Sequence, residues 1–164
     1  MPENIFQLIA PDILNLHRQT AYSLLALPSA DNGSAQIHHA AYVHLAGYYY
    51  VWLPENSRSA NPEMQTGIFL IETDNAPQRL SWIIQIRCLK TKDSLYQRAQ
   101  AALRHKLSYT RQQWRNMRPT RLLELTPLQG RFSQGIEQDI ALSPADLAKA
   151  LYPTNRQPIL EPAG

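Results

Sequence analysis

Apolar and polar residues alternate along much of the chain with the period of two that is typical of half-buried β-strands. The clearest case is the segment from Arg79 to Leu89. One face of this predicted strand carries Trp82, Ile84, Ile86 and Cys88, and the other carries Ser81, Ile83, Gln85 and Arg87. Because the first face is mostly large and apolar, we expect it to point into the core.

Alternation, or a short run of apolar, aromatic or β-branched residues between turn signals, predicts six further strands. They are Thr20–Leu27, Ala35–Leu45, Tyr48–Leu53, Gly67–Thr73, Arg121–Thr126 and Arg131–Leu142. Asn32-Gly33 predicts a tight hairpin between the first two, since this dipeptide tolerates the positive φ that such turns need. The segment 127–130 predicts a turn that joins the last two as a late hairpin.

A period of 3.6 residues replaces the alternation in four places and predicts helices there. The segments are a short amphipathic helix that Pro11 interrupts, a long helix from Asp93 to Tyr109 with Asp93 or Ser94 as its N-cap, a short helix around Gln112–Met117, and a helix from Ser143 to Tyr152. Ser143, Pro144 and Asp146 combine an N-cap, a first-turn proline and an acidic partner, a typical helix start.

This order of elements predicts an α+β domain whose meandering antiparallel sheet curls closed, rather than a doubly wound parallel sheet. The length of 164 residues fits one domain. We expect that domain to span residues 1–152, followed by a proline-containing tail over residues 153–164.

Composition indicates the cellular location and the kinds of partner to expect. Cys88 is the only cysteine, so the chain cannot form an internal disulfide, and we expect a reducing, cytoplasmic location. No apolar run reaches the roughly 18 residues that would span a bilayer, so no membrane association is predicted. The net charge of +3 is too small to indicate a polyanionic partner.

Basic residues are concentrated between Arg98 and Arg121, where no acidic residue interrupts them. Such a run can bind nucleic acid, but no base-reading motif accompanies it. A solvated helix face is the commoner arrangement. We therefore expect little sequence-specific affinity for DNA or RNA.

Two adjacent histidines, His38 and His39, lie on one predicted strand. Neighbouring side chains of a strand point to opposite faces, so these two cannot ligate one metal ion from the same side, and no metal site is predicted. His38 shares its face with Gln36, Tyr42 and His44, which we interpret as a wet or pocket-lining surface. His39 lies among Ile37, Ala41 and Val43, which favours a half-buried structural histidine.

Four strings of the sequence resemble the haem-utilisation branch of the pyridoxamine 5'-phosphate oxidase-like, FMN-binding split-barrel superfamily. They are RQTAYSLLAL with GSAQIHHAAYV after it, GYYYVWL with a polar turn, RLSWIIQIRCL, and RLLELTPLQGRFSQGIEQDIALSPADL. The resemblance covers roughly residues 18–152. It implies an antiparallel split β-barrel with flanking helices, a homodimer, and FMN or haem bound at the dimer interface.

The resemblance also implies site residues. Ser57 and Arg58 stand where the superfamily places groups that bind an anionic cofactor edge, and a guanidinium with nearby hydroxyls suits a phosphate or a haem propionate. His38 would lie close to the planar ring or the iron, although a histidine in this position is more often structural, either exposed or hydrogen-bonded. Tyr42 and Trp52 would complete the cofactor-binding set by stacking, although an aromatic strand is more often core or dimer interface.

The function implied is that of a haem- or FMN-binding protein, with oxidoreductase or haem-degrading activity as the corresponding chemistry. No catalytic residue is assigned, since no motif for acid–base or nucleophilic catalysis is present. Gly135-Ile136-Glu137 departs from the Gly-Phe-Gly of the family, and no histidine follows His105. These departures support an alternative hypothesis, a non-catalytic binding or interaction protein that has kept the barrel and lost the cofactor.

Overall fold

The computed structural model describes residues 3–28, 35–54, 65–74, 78–108, 120–135 and 139–153, without the side chains of residues 54 and 120. The helices are α1 (Glu3–Gln19), α2 (Tyr96–Leu107) and α3 (Pro144–Leu151). The strands are β1 (Tyr22–Pro28), β2 (Ala35–Leu45), β3 (Tyr48–Pro54), β4 (Thr66–Glu72), β5 (Gln78–Leu89), β6 (Thr120–Gln134) and β7 (Asp139–Leu142).

Six of the strands form a closed antiparallel barrel. The hydrogen-bonded order is β3-β2-β1-β4-β5-β6, and β6 also pairs with β3, which closes the ring. β7 pairs with β6 as an additional strand. The chain therefore has an α+β fold with a closed antiparallel sheet, as the sequence pattern predicted, and this architecture agrees with the split barrel that the resemblance implied.

The strand register separates an inner face from an outer face of the barrel wall. On β1, Leu25 and Leu27 are fully buried, whereas Leu24 and Ala26, which alternate with them, are only half-buried. The inner face forms the main core, and its largest side chains are those of Trp82, Tyr42, Tyr49, Phe69 and Phe132. Alternation places successive side chains on opposite sides of the wall.

One end of the barrel is covered by helices, and we call it the covered end. α1 contributes Ile13 and Leu16, both fully buried, to the main core, and α3 contributes Leu147. Polar contacts join α1 to strand ends there, since Gln134 donates to Asp12 (2.6 Å). α2 instead packs on the outer wall, over a second buried cluster that includes Tyr50, Leu122 and Leu103.

The opposite end of the barrel, where β1 ends and β2 begins, is called the open end here. β3 ends and β6 begins at the same end, because Pro54 pairs with Thr120. The segments 29–34, 55–64 and 109–119 connect to strands at this end and lie outside the described residues. The predicted Asn32-Gly33 turn, Ser57, Arg58 and the predicted helix around Gln112–Met117 fall in these segments.

Several predictions about elements are confirmed. β2 has the predicted bounds, and β5 buries Trp82, Ile84 and Ile86. The start of α3 carries a complete capping box, in which Ser143 Oγ accepts from the backbone N–H of Asp146 and the Asp146 carboxylate accepts from the N–H of Ser143.

The predicted late hairpin at residues 127–130 is wrong, because β6 runs unbroken from Thr120 to Gln134. Pro127 is accommodated at a register shift beside Ile83 and Ile84, where Pro127 and Gln129 pair with β5 and the exposed Leu128 between them has no partner in the ladder. A bulge is one of the few strand positions that tolerate proline. The turn that reverses the chain follows Gln134, and Gly135 has a φ of +79°.

Two helix predictions also need correction. α1 continues through Pro11, because Pro11 and Gln7 are both exposed and water can hydrate the carbonyl that loses its partner. α2 begins at Tyr96 after Leu95, without a side-chain cap. Asp93 accepts a hydrogen bond from the backbone N–H of Lys90 instead and stabilises the preceding turn (2.7 Å).

Among the described residues, no helix is long and apolar enough to cross a membrane.

Candidate functional site

His38 lies on the inner face of β2, toward the open end, directly across from Leu25 on β1. Its side chain is half-buried. The Nε2 atom is buried and has no hydrogen-bond partner among the residues that the structure describes. Burial and, to a lesser extent, the positive charge of Arg121 lower the pKa of His38. The imidazole is therefore neutral at physiological pH, and a neutral imidazole can accept a hydrogen bond or bind a metal ion.

Arg121 brings positive charge to the same part of the barrel. On β6 it is the cross-strand partner of Leu53 on β3, whose side chain is fully buried in the main core. Arg58 follows Pro54, the last residue of β3, by four positions, a span of at most ~14 Å of chain. Ser57 and Arg58 lie outside the described residues, so their place beside His38 stays a prediction.

Tyr42 is part of the core and does not line a wet surface. Its side chain is fully buried, and its hydroxyl is hydrogen-bonded to Thr20 Oγ1 (2.5 Å). The Lys106 ammonium lies 3.6 Å from the centre of its ring. The interpretation of this strand face as wet is wrong at Tyr42, because α1 covers this end of the barrel.

Trp52 lies on the other side of the barrel wall. It packs with Leu122 beneath α2, where Tyr96 and Leu103 are its neighbours. Tyr42 and Trp52 are therefore separated by the thickness of the sheet. A single planar ligand cannot stack on both rings.

His39 is exposed, so the prediction of a half-buried histidine is wrong. Its ring stacks on that of Tyr22 in the adjacent strand, with centroids 5.0 Å apart and an angle of 16° between the planes. The outer face of β2 is buried beneath α2 only from Ala41 onward. His39 precedes that covered part and faces outward.

An open cleft of about 590 Å³ lies beside the Tyr22–His39 pair. It runs along the outer wall between the end of α1 and the end of β4. Its described lining includes Leu24 and Leu70 in the floor and the carboxylates of Glu72 and Asp74 at the rim. Glu72 accepts from Arg79 Nε (3.1 Å), which leaves Asp74 as the charge without an ion-pair partner among the described residues.

A row of apolar side chains crosses the outer wall next to this cleft. Ile37, Ala26, Ile68 and Ile83 are cross-strand neighbours on four successive strands, and the exposed, unpaired Leu128 follows at the bulge of β6 next to Gln129, the partner of Ile83. The exposed fraction of Ile37 is 71% and that of Ile68 is 52%. Contiguous exposed apolar surface of this kind commonly marks an interface. We call this set the outer apolar row.

Sequence reasoning missed both the outer apolar row and the cleft. Isoleucines at alternate positions give the same pattern whether they face the core or an exposed wall, so periodicity alone does not separate the two. Ile83 was the residue that could have indicated the row. It is a large apolar residue on the outward face of β5, where its neighbours are Ser81, Gln85 and Arg87. Within the described ranges, no group of three or more His, Cys, Asp or Glu residues could hold a metal ion.

Comparisons with known proteins agree with this architecture. The chain is similar in structure to ChuZ of Campylobacter jejuni, with a TM-score of 0.66 and 18% identity over 85% of this chain and 61% of that one. It is also similar to HutZ, the heme storage protein of Vibrio cholerae, with a TM-score of 0.61 and 17% identity over 71% of this chain and 88% of that one.

A third similar structure is a protein of the pyridoxinephosphate oxidase family from Clostridium acetobutylicum, with a TM-score of 0.63 and 11% identity, covering 86% of this chain and 98% of that one. No protein-family model matches the sequence, and no curated protein matches it. At these identities the likeness establishes the fold, which is the split barrel that the sequence resemblance predicted.

Proposed function

We propose that this split-barrel chain is a protein of the haem-utilisation type that binds a planar anionic cofactor, haem or FMN, at the open end of its barrel. Two copies of the chain would associate through the outer apolar row. The proposal joins the likeness to ChuZ and HutZ with the geometry around His38. A cytoplasmic location is part of the same proposal. The chain has one cysteine, Cys88, which is compatible with that location.

The buried Nε2 atom of His38 is the observation that carries the proposal. A buried polar atom without a partner costs roughly 1 to 3 kcal/mol, so proteins rarely keep one unless a water molecule or a ligand satisfies it. Here the atom belongs to a neutral imidazole beside a cation. Such a nitrogen suits a hydrogen-bond donor of a flavin ring or the iron of a haem.

The charges at the open end fit an anionic cofactor edge. Arg121 is close enough to His38 to lower its pKa, and Arg58 with Ser57 belongs to the segment that begins at this end. Guanidinium groups make charge-assisted hydrogen bonds with phosphates and carboxylates. The bound cofactor would supply the redox chemistry, and the chain would position it and bind its charged edge.

The outer cleft does not fit the anionic edge of either cofactor. Two carboxylates stand at its rim, and its described lining includes no lysine or arginine. A phosphate or a propionate placed there would be repelled by Asp74, which has no ion-pair partner among the described residues, whereas Glu72 is paired with Arg79. The open end, where His38 and Arg121 lie, is therefore the better location.

The outer apolar row supplies a surface for the second copy. It spans five strands, and among the described residues no helix lies over it, whereas α2 covers the neighbouring part of the wall. A two-fold symmetric pair of copies would bury the same row from both sides. Cofactor and partner copy would then meet along the edge where Ile37 and His38 follow one another on β2.

The test titrates purified protein with haem and, separately, with FMN, and follows the absorption spectrum. Arg58→Ala should weaken binding about tenfold, which corresponds to losing a charge-assisted bond of ~1.5 kcal/mol. His38→Ala should change the spectrum of the bound cofactor, while its free energy of unfolding stays within ~1 kcal/mol of the parent because the removed atom has no described partner.

His39→Ala and Arg131→Ala are the matched controls. His39 neighbours His38 but faces outward, and Arg131 is an exposed arginine paired with Asp139. Neither change should alter the titration. If His38→Ala and Arg58→Ala bind haem and FMN as the parent does, the proposed site is wrong. If the parent binds neither cofactor, the alternative of a barrel that lost its cofactor takes its place.

A further inference from the structure

The outer cleft differs from the open end in its position and in the charge of its lining. It lies on the outside of the wall near the covered end, whereas His38 faces the barrel interior toward the open end. Its volume of about 590 Å³ falls within the range of small-molecule pockets, roughly 300 to 1,000 Å³. The proposed haem or FMN does not suit the cleft, because its anionic edge would meet the carboxylate of Asp74.

An aromatic surface forms one side of the cleft. The exposed fraction of Tyr22 is 41%, and its ring is held in place by stacking on His39. Leu24 and Leu70, which pair across β1 and β4, provide an apolar floor beside it. A rigid ring next to an apolar floor favours a flat ligand, because little side-chain entropy is lost on binding.

Two carboxylates, those of Glu72 and Asp74, also line the cleft. Asp74 has no ion-pair partner among the described residues, and Glu72 keeps one carboxylate oxygen outside its contact with Arg79. Residues 75–77, which follow Asp74, are Asn, Ala and Pro and add no charge. A cation in the cleft would gain both an ion pair with Asp74 and an attraction to the face of Tyr22.

We propose that the outer cleft binds a flat ligand with a positively charged or amine-bearing group, with the ring against Tyr22 and the cationic group at Asp74. The chemical class is an aromatic amine, amidine or similar planar cation. This site is independent of the haem or FMN proposal, since it uses different residues on the other face of the wall.

Three nearly isosteric probes test the charge preference directly: benzamidine is cationic, benzamide is neutral and benzoate is anionic. Ligand-observed NMR on the full chain without added cofactor should give affinities in that order. Benzamidine should bind at least about fivefold more tightly than benzamide at low salt, and added salt should reduce that ratio. Equal binding of the three probes, or a preference for benzoate, would overturn the proposal.

Two variants locate the site. Asp74→Asn should lower the affinity for benzamidine to that for benzamide and leave benzamide unchanged, whereas Tyr22→Leu should weaken both probes. Asp139→Asn is the matched control, an exposed carboxylate on β7 outside the cleft. The proposal fails if Asp74→Asn and Asp139→Asn affect benzamidine equally. Should a variant not fold, the order of the three probes on the parent still decides.

Discussion

The imidazole of His17 and the phenol of Tyr49 are joined by a hydrogen bond of 2.7 Å inside the covered end of the barrel. His17 Nδ1 is 2.7 Å from the carbonyl oxygen of Ile13, so Nδ1 must donate its hydrogen there. Nε2 of the neutral ring then accepts from the Tyr49 hydroxyl. A polar pair thereby ties α1 to β3 inside the barrel, with both ring nitrogens of His17 satisfied.

This arrangement predicts that the protein loses stability as pH falls below about 6.5. Burial, and then the charges of His44 and Lys106, lower the pKa of His17 from 6.5 to about 3, against a partial opposing effect of the Ile13 carbonyl. Between these values the unfolded chain binds the proton and the folded chain does not, so protonation favours unfolding. From pH 7 to pH 5, His17 alone should cost about 2 kcal/mol.

Urea unfolding at several pH values measures this effect. His17→Phe removes the titrating group, so its free energy of unfolding should depend less on pH between 7 and 5 than that of the parent, whatever its absolute stability. His105→Gln, a change at an exposed histidine of α2, should keep the slope of the parent. A parent slope that survives in His17→Phe would contradict the assignment.

Glu124 is predicted to be the most important carboxylate for the stability of the outer wall under α2. It is buried and accepts from Tyr50 Oη (2.8 Å) and from Arg87 Nε (3.0 Å). Glu124→Ala leaves both donors without this partner and should cost ~2 kcal/mol, since Arg87 is partly exposed and water can solvate it. Tyr50→Phe should cost ~1 kcal/mol.

A double-mutant cycle, measured by urea unfolding, separates the energy of the Tyr50–Glu124 contact from the costs of the two single substitutions. The Tyr50–Glu124 pair should show a coupling energy of ~1 kcal/mol. The exposed pair Arg131–Asp139 is the matched comparison and should show less than ~0.5 kcal/mol in the same cycle. Equal coupling in the two pairs would mean that burial adds nothing to the Glu124 contacts.

Gly130 is predicted to tolerate no larger residue, because it lies against the indole of Trp82. A Cβ atom at this position would be 2.7 Å from the nearest carbon atoms of the ring. Trp82 is itself enclosed by the core and cannot move aside freely. Gly130→Ala should therefore destabilise the protein by ~1 to 3 kcal/mol in urea or thermal unfolding.

Combining Gly130→Ala with Trp82→Phe supplies the control. The smaller ring makes room for the methyl group, so Gly130→Ala should cost less in this background than in the parent. If Gly130→Ala is harmless in the parent, the close packing of β5 against β6 at this position is not as described.

Self-association should depend on the outer apolar row. Light scattering of the parent at micromolar concentration should give about 37 kDa, twice the chain mass of 18.7 kDa. Ile68→Lys places a charge in the centre of the row and should shift the mass to that of one chain. Leu8→Lys, on the exposed side of α1, should leave the parent value unchanged. A parent mass of one chain would contradict the dimer.

The sequence predicted the strands well where alternation is strong and the strand has a hydrogen-bonded strand on each side in the sheet. β2 and β5 have long, regular patterns, and the capping residues Ser143 and Asp146 are a local signal that needs no tertiary context. The pattern failed at Pro127, because a proline normally ends a strand and only the bulge opposite β5 makes it acceptable. Such a bulge depends on a strand more than 40 residues away.

The candidate site was less predictable, because two faces of one strand were assigned to the wrong surroundings. The polar face of β2, with Tyr42 and His44, turns inward at the covered end. Its hydrogen-bond partners there are Thr20 and Tyr152, the residues that directly follow α1 and α3. The more apolar face carries His39 outward. Which face of a closed barrel is buried depends on where its helices pack, and local sequence does not contain that information.

The absorption spectrum of the purified parent protein during titration with haem, and separately with FMN, tests the central claim most directly. We expect saturable binding of one of these cofactors at one equivalent per chain, with a shifted Soret band for haem or a perturbed visible spectrum for the flavin. Titrations in which neither spectrum differs from that of the free cofactor would contradict a cofactor site at His38.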